Sequence, residues 1–173
     1  MTIHFGDSTS IASATGLGAG ILQTVQTVKT DAYSSNNTSY TDITGMSVTI
    51  TPSSSSNKIL VTSMINWSIV SNGYMGIRLM RGSTAIALST ALSGNNTISS
   101  FALGTSSDSQ WQYKINTASH IFLDSPNTTS ATTYKLQHIT WQETLNINKP
   151  IFTGNARYTM TGISTITAQE IKG

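Results

Sequence analysis

The chain has 173 residues, enough for one domain with a substantial core, and it contains no cysteine. Disulfides, thiol nucleophiles and thiolate metal sites are therefore excluded. Nine Lys/Arg stand against seven Asp/Glu for a net charge of +2; the cations are scattered singly, so no basic run could neutralise several phosphates, which argues against nucleic acid as a partner.

Only 9% of the residues are charged, against about a quarter in typical soluble domains. Ser and Thr fill the gap at roughly a third of the chain. Thr is β-branched and favours strands. A surface of hydroxyls and amides repels its own copies little, which is compatible with a homo-oligomer. No apolar run reaches the roughly 20 residues of a membrane span, so no membrane partner is expected. Met1–Asp7 lacks the basic start and apolar core of a secretory signal, which predicts synthesis and assembly in a cytoplasm.

Residues 1–20 read differently from the rest. Ser8–Gly20 is small, glycine-rich and uncharged, punctuated by Phe5, Ile11 and Leu17 on either side of and within it. Such a stretch cannot bury enough apolar surface to fold alone. It reads either as a frayed terminus or as an extended arm that orders against a neighbouring subunit, with Phe5, Ile11 and Leu17 as anchors.

From residue 21 to 173 the apolar period is two, the signature of strands. The expected strands are Ile21–Thr30, Gly45–Thr51, Lys58–Val70, Tyr74–Arg81, Thr84–Leu88, Ile98–Leu103, Trp111–Ile115, His120–Leu123, Thr132–Trp141, Ala156–Thr161 and Ile163–Ile171. Pro52 with Ser53–Ser56 breaks the second, Ser71–Gly73 is a turn signal, and Gly82-Ser83 reads as a tight hairpin. Short strands at roughly ten-residue spacing, with no helical stripe, predict an all-β sandwich or jelly roll.

The chain carries no recognisable catalytic motif. His120 and His138 fall on strands flanking residues 123–137, with Asp124 as the nearest further ligand, but no metal-binding spacing supports a site. Asp124-Ser125-Pro126 reads as a turn, not a nucleophile elbow. Gly16–Gly20 lacks the strand, helix and Lys-Ser/Thr pair of a phosphate loop. A glycosidase pair would need two of the seven acids to face each other. Trp67, Trp111, Trp141, Tyr74, Tyr113 and Tyr134 read as core or subunit interface, with a sugar-stacking platform as the alternative. No catalytic residue, metal or cofactor is therefore assigned.

Five elements share wording with one family. They are Ile21–Asp31, Ser39–Pro52 with Ser56–Val61, Ile77–Ile86, Leu123–Gln137, and the closing strand Ile163–Ile171. In this order they resemble the β-sandwich domain of marine and cyanobacterial tailed-phage virion surface proteins, over about residues 21–171. The resemblance implies a single jelly-roll-like antiparallel β-sandwich, trimeric association and no enzymatic activity. With only about twenty residues before the domain and no shaft, it favours a capsid decoration or cement protein on the particle surface, assembled in the host cytoplasm. Its expected partners are two further copies of itself and the major capsid protein or another virion protein. The alternative is a tail-fibre or receptor-binding module that recognises host surface glycans.

Overall fold

The computed structural model describes residues 3–4, 10–11, 20–91, 94, 96–105, 111–141, 143–154, 157 and 159–173, with side chains from residue 20 onward except that of Trp111. Ile3–His4 (β1) pairs antiparallel with Ser10–Ile11 (β2). Phe5 and Leu17 lie outside the described residues, as does the side chain of Ile11.

Eleven further strands form two antiparallel sheets. They are β3 Ile21–Lys29, β4 Tyr33–Ser35, β5 Thr41–Ile50, β6 Lys58–Ser68, β7 Tyr74–Arg81, β8 Thr84–Ile86, β9 Phe101–Gly104, β10 Asn116–Asp124, β11 Thr132–Thr140, β12 Leu145–Ile147 and β13 Ser164–Ile171. In sheet one β3 pairs β13, β13 pairs β6, and β6 also pairs β10; β12 and β4 extend it beside the far end of β6. In sheet two β5 pairs β11, β11 pairs β7, and β7 pairs β8 at one end and β9 at the other.

The order of pairing identifies the fold. The first long strand pairs with the last (β3 with β13), the next with the one before it (β5 with β11), then β6 with β10, and β7 with β8 and β9. The chain is thus one long antiparallel hairpin, rolled so that successive pairs fall in alternate sheets. That is a jelly-roll sandwich.

Alternation drives this arrangement. β6 buries Ile59, Val61, Ile65 and Trp67 and turns Leu60, Thr62 and Met64 the other way. Met46, Val48 and Ile50 of β5, Ile77 and Leu79 of β7, Tyr134 and Leu136 of β11, and Ile166 and Ala168 of β13 meet them between the sheets. Each fully buried aliphatic side chain contributes about 1.5–3 kcal/mol. In β5 the apolar rhythm skips from Ile43 to Met46, because Gly45 sits at φ +82° and the register against β11 shifts there.

Several sequence expectations are corrected. Trp111–Tyr113 is a single 3-10 turn, not the start of a strand. The described residues between 156 and 161 form no strand. β4 and β12 were not anticipated. Asp124 closes β10, and residues 125–131 connect it to β11, with Asn127 at φ +52°. The Gly82-Ser83 hairpin stands as expected, with Gly82 at φ +57°.

Candidate binding cleft and assembly surfaces

The sandwich has two chemically different ends. At one lie Ile21, Ile171, Lys58 and Asp124 of sheet one with Ile50, Thr132 and Arg81 of sheet two. The chain enters the domain here, so we term it the entry end. At the other lie Lys29, Ser164 and Ser68 of sheet one with Thr140, Tyr74 and Gly104 of sheet two.

Two polar clusters pin the entry end. The carboxylate of Glu170, on a fully buried residue, accepts hydrogen bonds from Asn57 Nδ2, from Gln23 Nε2 at 2.6 Å, and from both the amide and the hydroxyl of Ser53 at 2.7 Å. Burial alone would raise its pKa, but these donors outweigh it and hold the carboxyl at about 2. They tie β13 and β3 to the loop after β5. Asp124 is the second cluster: Oδ2 accepts from the Tyr134 hydroxyl at 2.6 Å and Oδ1 from Arg81 at 2.9 Å. Burial and the adjacent Asp124 carboxylate push the Tyr134 hydroxyl well above its usual range. The residue considered as a metal ligand is thus the bolt between β10, β11 and β7.

His120 and His138 each pack against an aromatic ring. His120, on β10, stacks on Phe101 at 5.2 Å between ring centroids, and burial lowers its pKa. His138, on β11, is fully buried and lies 2.9 Å from the Tyr33 hydroxyl through Nε2. The Tyr33 hydroxyl also lies 3.2 Å from the Asp42 carbonyl, and the buried His138 Nδ1 has no hydrogen-bond partner among the described residues. Burial lowers the His138 pKa to about 4. No cluster of three or more potential metal ligands occurs among the described residues. Asp42 is held by Lys135 and Gln137, and Asp31 by Lys29, so these acids serve ion pairs and hydrogen bonds.

Of the six aromatic residues singled out by sequence, Trp67 and Tyr134 belong to the core. Tyr113 packs edge-on against Phe152. Tyr74 and Trp141 do the opposite of core packing: they are 64% and 75% exposed. They flank an open cleft of about 470 Å³ at the end of sheet two away from the entry end, where β7 begins and β9 and β11 finish. Gly76 and Gly104 lie in its lining, with Ile139 and Ala102, and Thr38, Thr97 and Ser99 bring hydroxyls. Among the described residues that line it, none is an Asp, Glu, His, Lys or Arg.

The framework fixes this cleft. Thr105 donates to the Val70 carbonyl through its hydroxyl and to the Gly73 carbonyl through its amide, locking the turn before Tyr74. Thr140 donates twice to the Asn37 carbonyl, holding the end of β11 before Trp141. A Cβ placed on Gly104 would come within 3.0 Å of Tyr74 Cδ1, so the tyrosine ring lies over bare backbone.

The outer face of sheet one is a second distinctive surface. Three cross-strand rows cover it: Thr24–Gln169–Leu60–Leu123, Gln26–Thr167–Thr62–Ile121 and Val28–Thr165–Met64–Ser119. None of these twelve positions is ionisable, and Ile121, Leu123 and Val28 are exposed. The edge strand β10 pairs with β6 over nine consecutive residues without a bulge, and no described strand pairs with its other side. It carries no Lys or Pro, the usual guards of a free edge.

No protein-family model matches the chain, and no curated protein matches it. Among solved structures, the chain is similar to that of the infectious bursal disease virus Gx strain, at 16% identity and a TM-score of 0.40 over 86% of this chain and 37% of that one. It is also similar to the infectious bursal disease virus VP2 subviral particle, at 12% identity and a TM-score of 0.44 over 86% of this chain and 37% of that one. The chain therefore spans little more than a third of the length of those proteins.

Proposed function

We propose that the protein is a non-enzymatic structural component of a bacteriophage virion, a decoration or cement protein that binds the assembled shell as a homotrimer. The observation that carries this reading is the outer face of sheet one. Twelve contiguous uncharged positions, several of them exposed aliphatics, form a surface whose burial against a second copy meets no charge repulsion and strands no ion. The open edge of β10 borders that face and offers unpaired backbone groups to a neighbour. The wording of residues 21–171, which resembles phage virion surface proteins, supports the virion setting and the trimer.

The function is mass action. A protein that binds the closed shell but not its dissociated parts stabilises the shell by the free energy of binding. The arm, residues 1–20, enters from the end pinned by Glu170 and Asp124, and in this reading it lies on the major capsid protein or on a neighbouring copy, with Phe5, Ile11 and Leu17 as anchors. A segment that orders on binding covers much surface for its length. Deleting residues 1–20 should therefore abolish co-sedimentation with assembled shells while leaving the thermal unfolding midpoint of the β-domain within a few degrees of the full chain. Undiminished co-sedimentation would overturn the role of the arm.

The exposed aromatics at the opposite end favour a second placement, in a tail-fibre or receptor-binding module. Copy number separates the two: hundreds of copies per particle mean shell, a few dozen or fewer mean tail.

A further inference from the structure

We propose that the cleft between Tyr74 and Trp141 is a binding site for a neutral saccharide, with a pyranose ring lying against the aromatic faces. The inference rests on the cleft alone and holds for either placement of the protein on a virion.

Three observations point to this ligand class. The first is the exposure of the two rings. A large aromatic side chain left in water forgoes burial free energy, and two of them bordering one cleft mark a recognition surface. The C–H face of a pyranose is apolar and flat, and an aromatic ring is the side chain that matches it. The second is that the described lining carries no charge. Phosphates, sulfates and acidic sugars are recognised by Arg or Lys, and neither is among the described residues that line the cleft. The nearby Arg78 is committed elsewhere: it stacks on Tyr40 at 4.0 Å and donates to Gln137 at 2.8 Å. The third is the rim, where the exposed Thr38 and Thr97 supply hydroxyls that can both donate to and accept from sugar hydroxyls.

Shape agrees with chemistry. The volume of about 470 Å³ falls within the range of about 300–1,000 Å³ usual for ligand pockets. Gly76 leaves its floor bare: a Cβ there would crowd Tyr40 Oη at 3.0 Å and Ile139 Cγ2 at 3.2 Å. The hydrogen bonds of Thr105 and Thr140 hold the backbone on both sides before any ligand arrives, which lowers the ordering cost of binding.

The test uses the full-length chain and a glycan array carrying neutral oligosaccharides of glucose, galactose, mannose and rhamnose beside sialylated and sulfated ones. Hits are followed by titration of tryptophan fluorescence. The wild-type chain is expected to bind at least one neutral class and no acidic one, with a fluorescence change that disappears in Trp141→Ala. Trp141→Ala and Tyr74→Ala should each weaken binding at least tenfold, Tyr74→Phe should retain it, and all three should melt within a few degrees of wild type because both side chains are exposed. Gly104→Ala, which displaces the Tyr74 ring, should weaken binding as well. The proposal is overturned if no neutral saccharide binds, if binding survives Trp141→Ala and Tyr74→Ala, or if only anionic glycans bind. It is equally overturned if the aromatic pair proves to be a contact between copies, seen as a smaller assembly by sedimentation for Trp141→Ala.

Discussion

Glu170→Ala is expected to lower the unfolding free energy by about 2–3 kcal/mol, one of the two largest single-residue effects in the domain outside its apolar core. The carboxylate is the common acceptor for four donors from three residues. One of them cannot turn to water. The Asn57 amide is buried and would keep only its 3.2 Å bond to Ser53 Oγ, whereas Ser53 is exposed and water can meet its amide. Each stranded donor costs about 1–3 kcal/mol. Gln23 and the Ser53 hydroxyl are more exposed and can turn to water, so they add little. Glu170→Gln keeps one acceptor oxygen and should cost about half as much. Urea unfolding at pH 7 measures both.

The same group makes stability depend on pH, with a definite sign. The Glu170 pKa falls from 4.5 to about 2 on folding, so its contribution is complete above pH 4.5 and is lost as the pH drops toward 2. His138 acts in an earlier window. Its pKa falls from 6.5 to about 4, because protonation would place a charge on a buried ring whose Nδ1 has no partner. The neutral form is therefore favoured by folding, and stability is lost as the pH drops from 6.5 toward 4. Acid weakening should begin below pH 6.5, steepen below 4.5, and lose its later limb in Glu170→Gln.

Asp124→Ala carries the second large effect, about 2–4 kcal/mol. Asp124 joins three strands from both sheets through two partners of unequal weight. The Tyr134 hydroxyl belongs to a fully buried residue and has no route to solvent, so losing its acceptor costs the full desolvation penalty. Arg81 keeps about a third of its side chain exposed and can rehydrate, so its share is that of a surface pair, about 1 kcal/mol or less. Tyr134→Phe removes the heavier partner without stranding it and should cost only about 1 kcal/mol. A double-mutant cycle of Asp124→Ala with Tyr134→Phe should then show strong coupling, and the cycle with Arg81→Ala weak coupling.

The sequence made the jelly roll legible wherever a strand was long and half-buried. Lys58–Ser68 and Tyr74–Arg81 announce themselves by alternation, and Gly82 by the positive φ its hairpin needs. Short strands were invisible: Leu145–Ile147 is three residues, all buried, and three residues show no period. Trp111–Ile115 alternated well enough to resemble a strand, yet its backbone closes into a 3-10 turn, because period two states which residues are apolar and not whether a partner strand is within reach. The start of β5 was missed because Gly45 interrupts the rhythm from Ile43 to Met46.

The functional surfaces were less legible, for a different reason. Tyr74 and Trp141 are 67 residues apart and sit beside apolar neighbours that do enter the core, so both resemble core aromatics. Their exposure follows from parity: Met75, Ile77 and Leu79 of β7 and Leu136, His138 and Thr140 of β11 point inward, so Tyr74 and Trp141 stand on the outer face of sheet two. Asp124 resembled turn chemistry because its partners, Arg81 and Tyr134, come from other strands. The uncharged face of sheet one was foreshadowed only in bulk, by a chain with 9% charged residues; register alone gathers twelve uncharged positions onto one face.

A cryo-EM reconstruction of the particle that carries this protein would locate every copy. Trimers are expected at three-fold or quasi-three-fold positions of the shell, with the entry end and its arm against the major capsid protein and the Tyr74–Trp141 cleft facing solvent. Density confined to the tail, or copies on the shell attached through the cleft with residues 1–20 free of any contact, would contradict this placement.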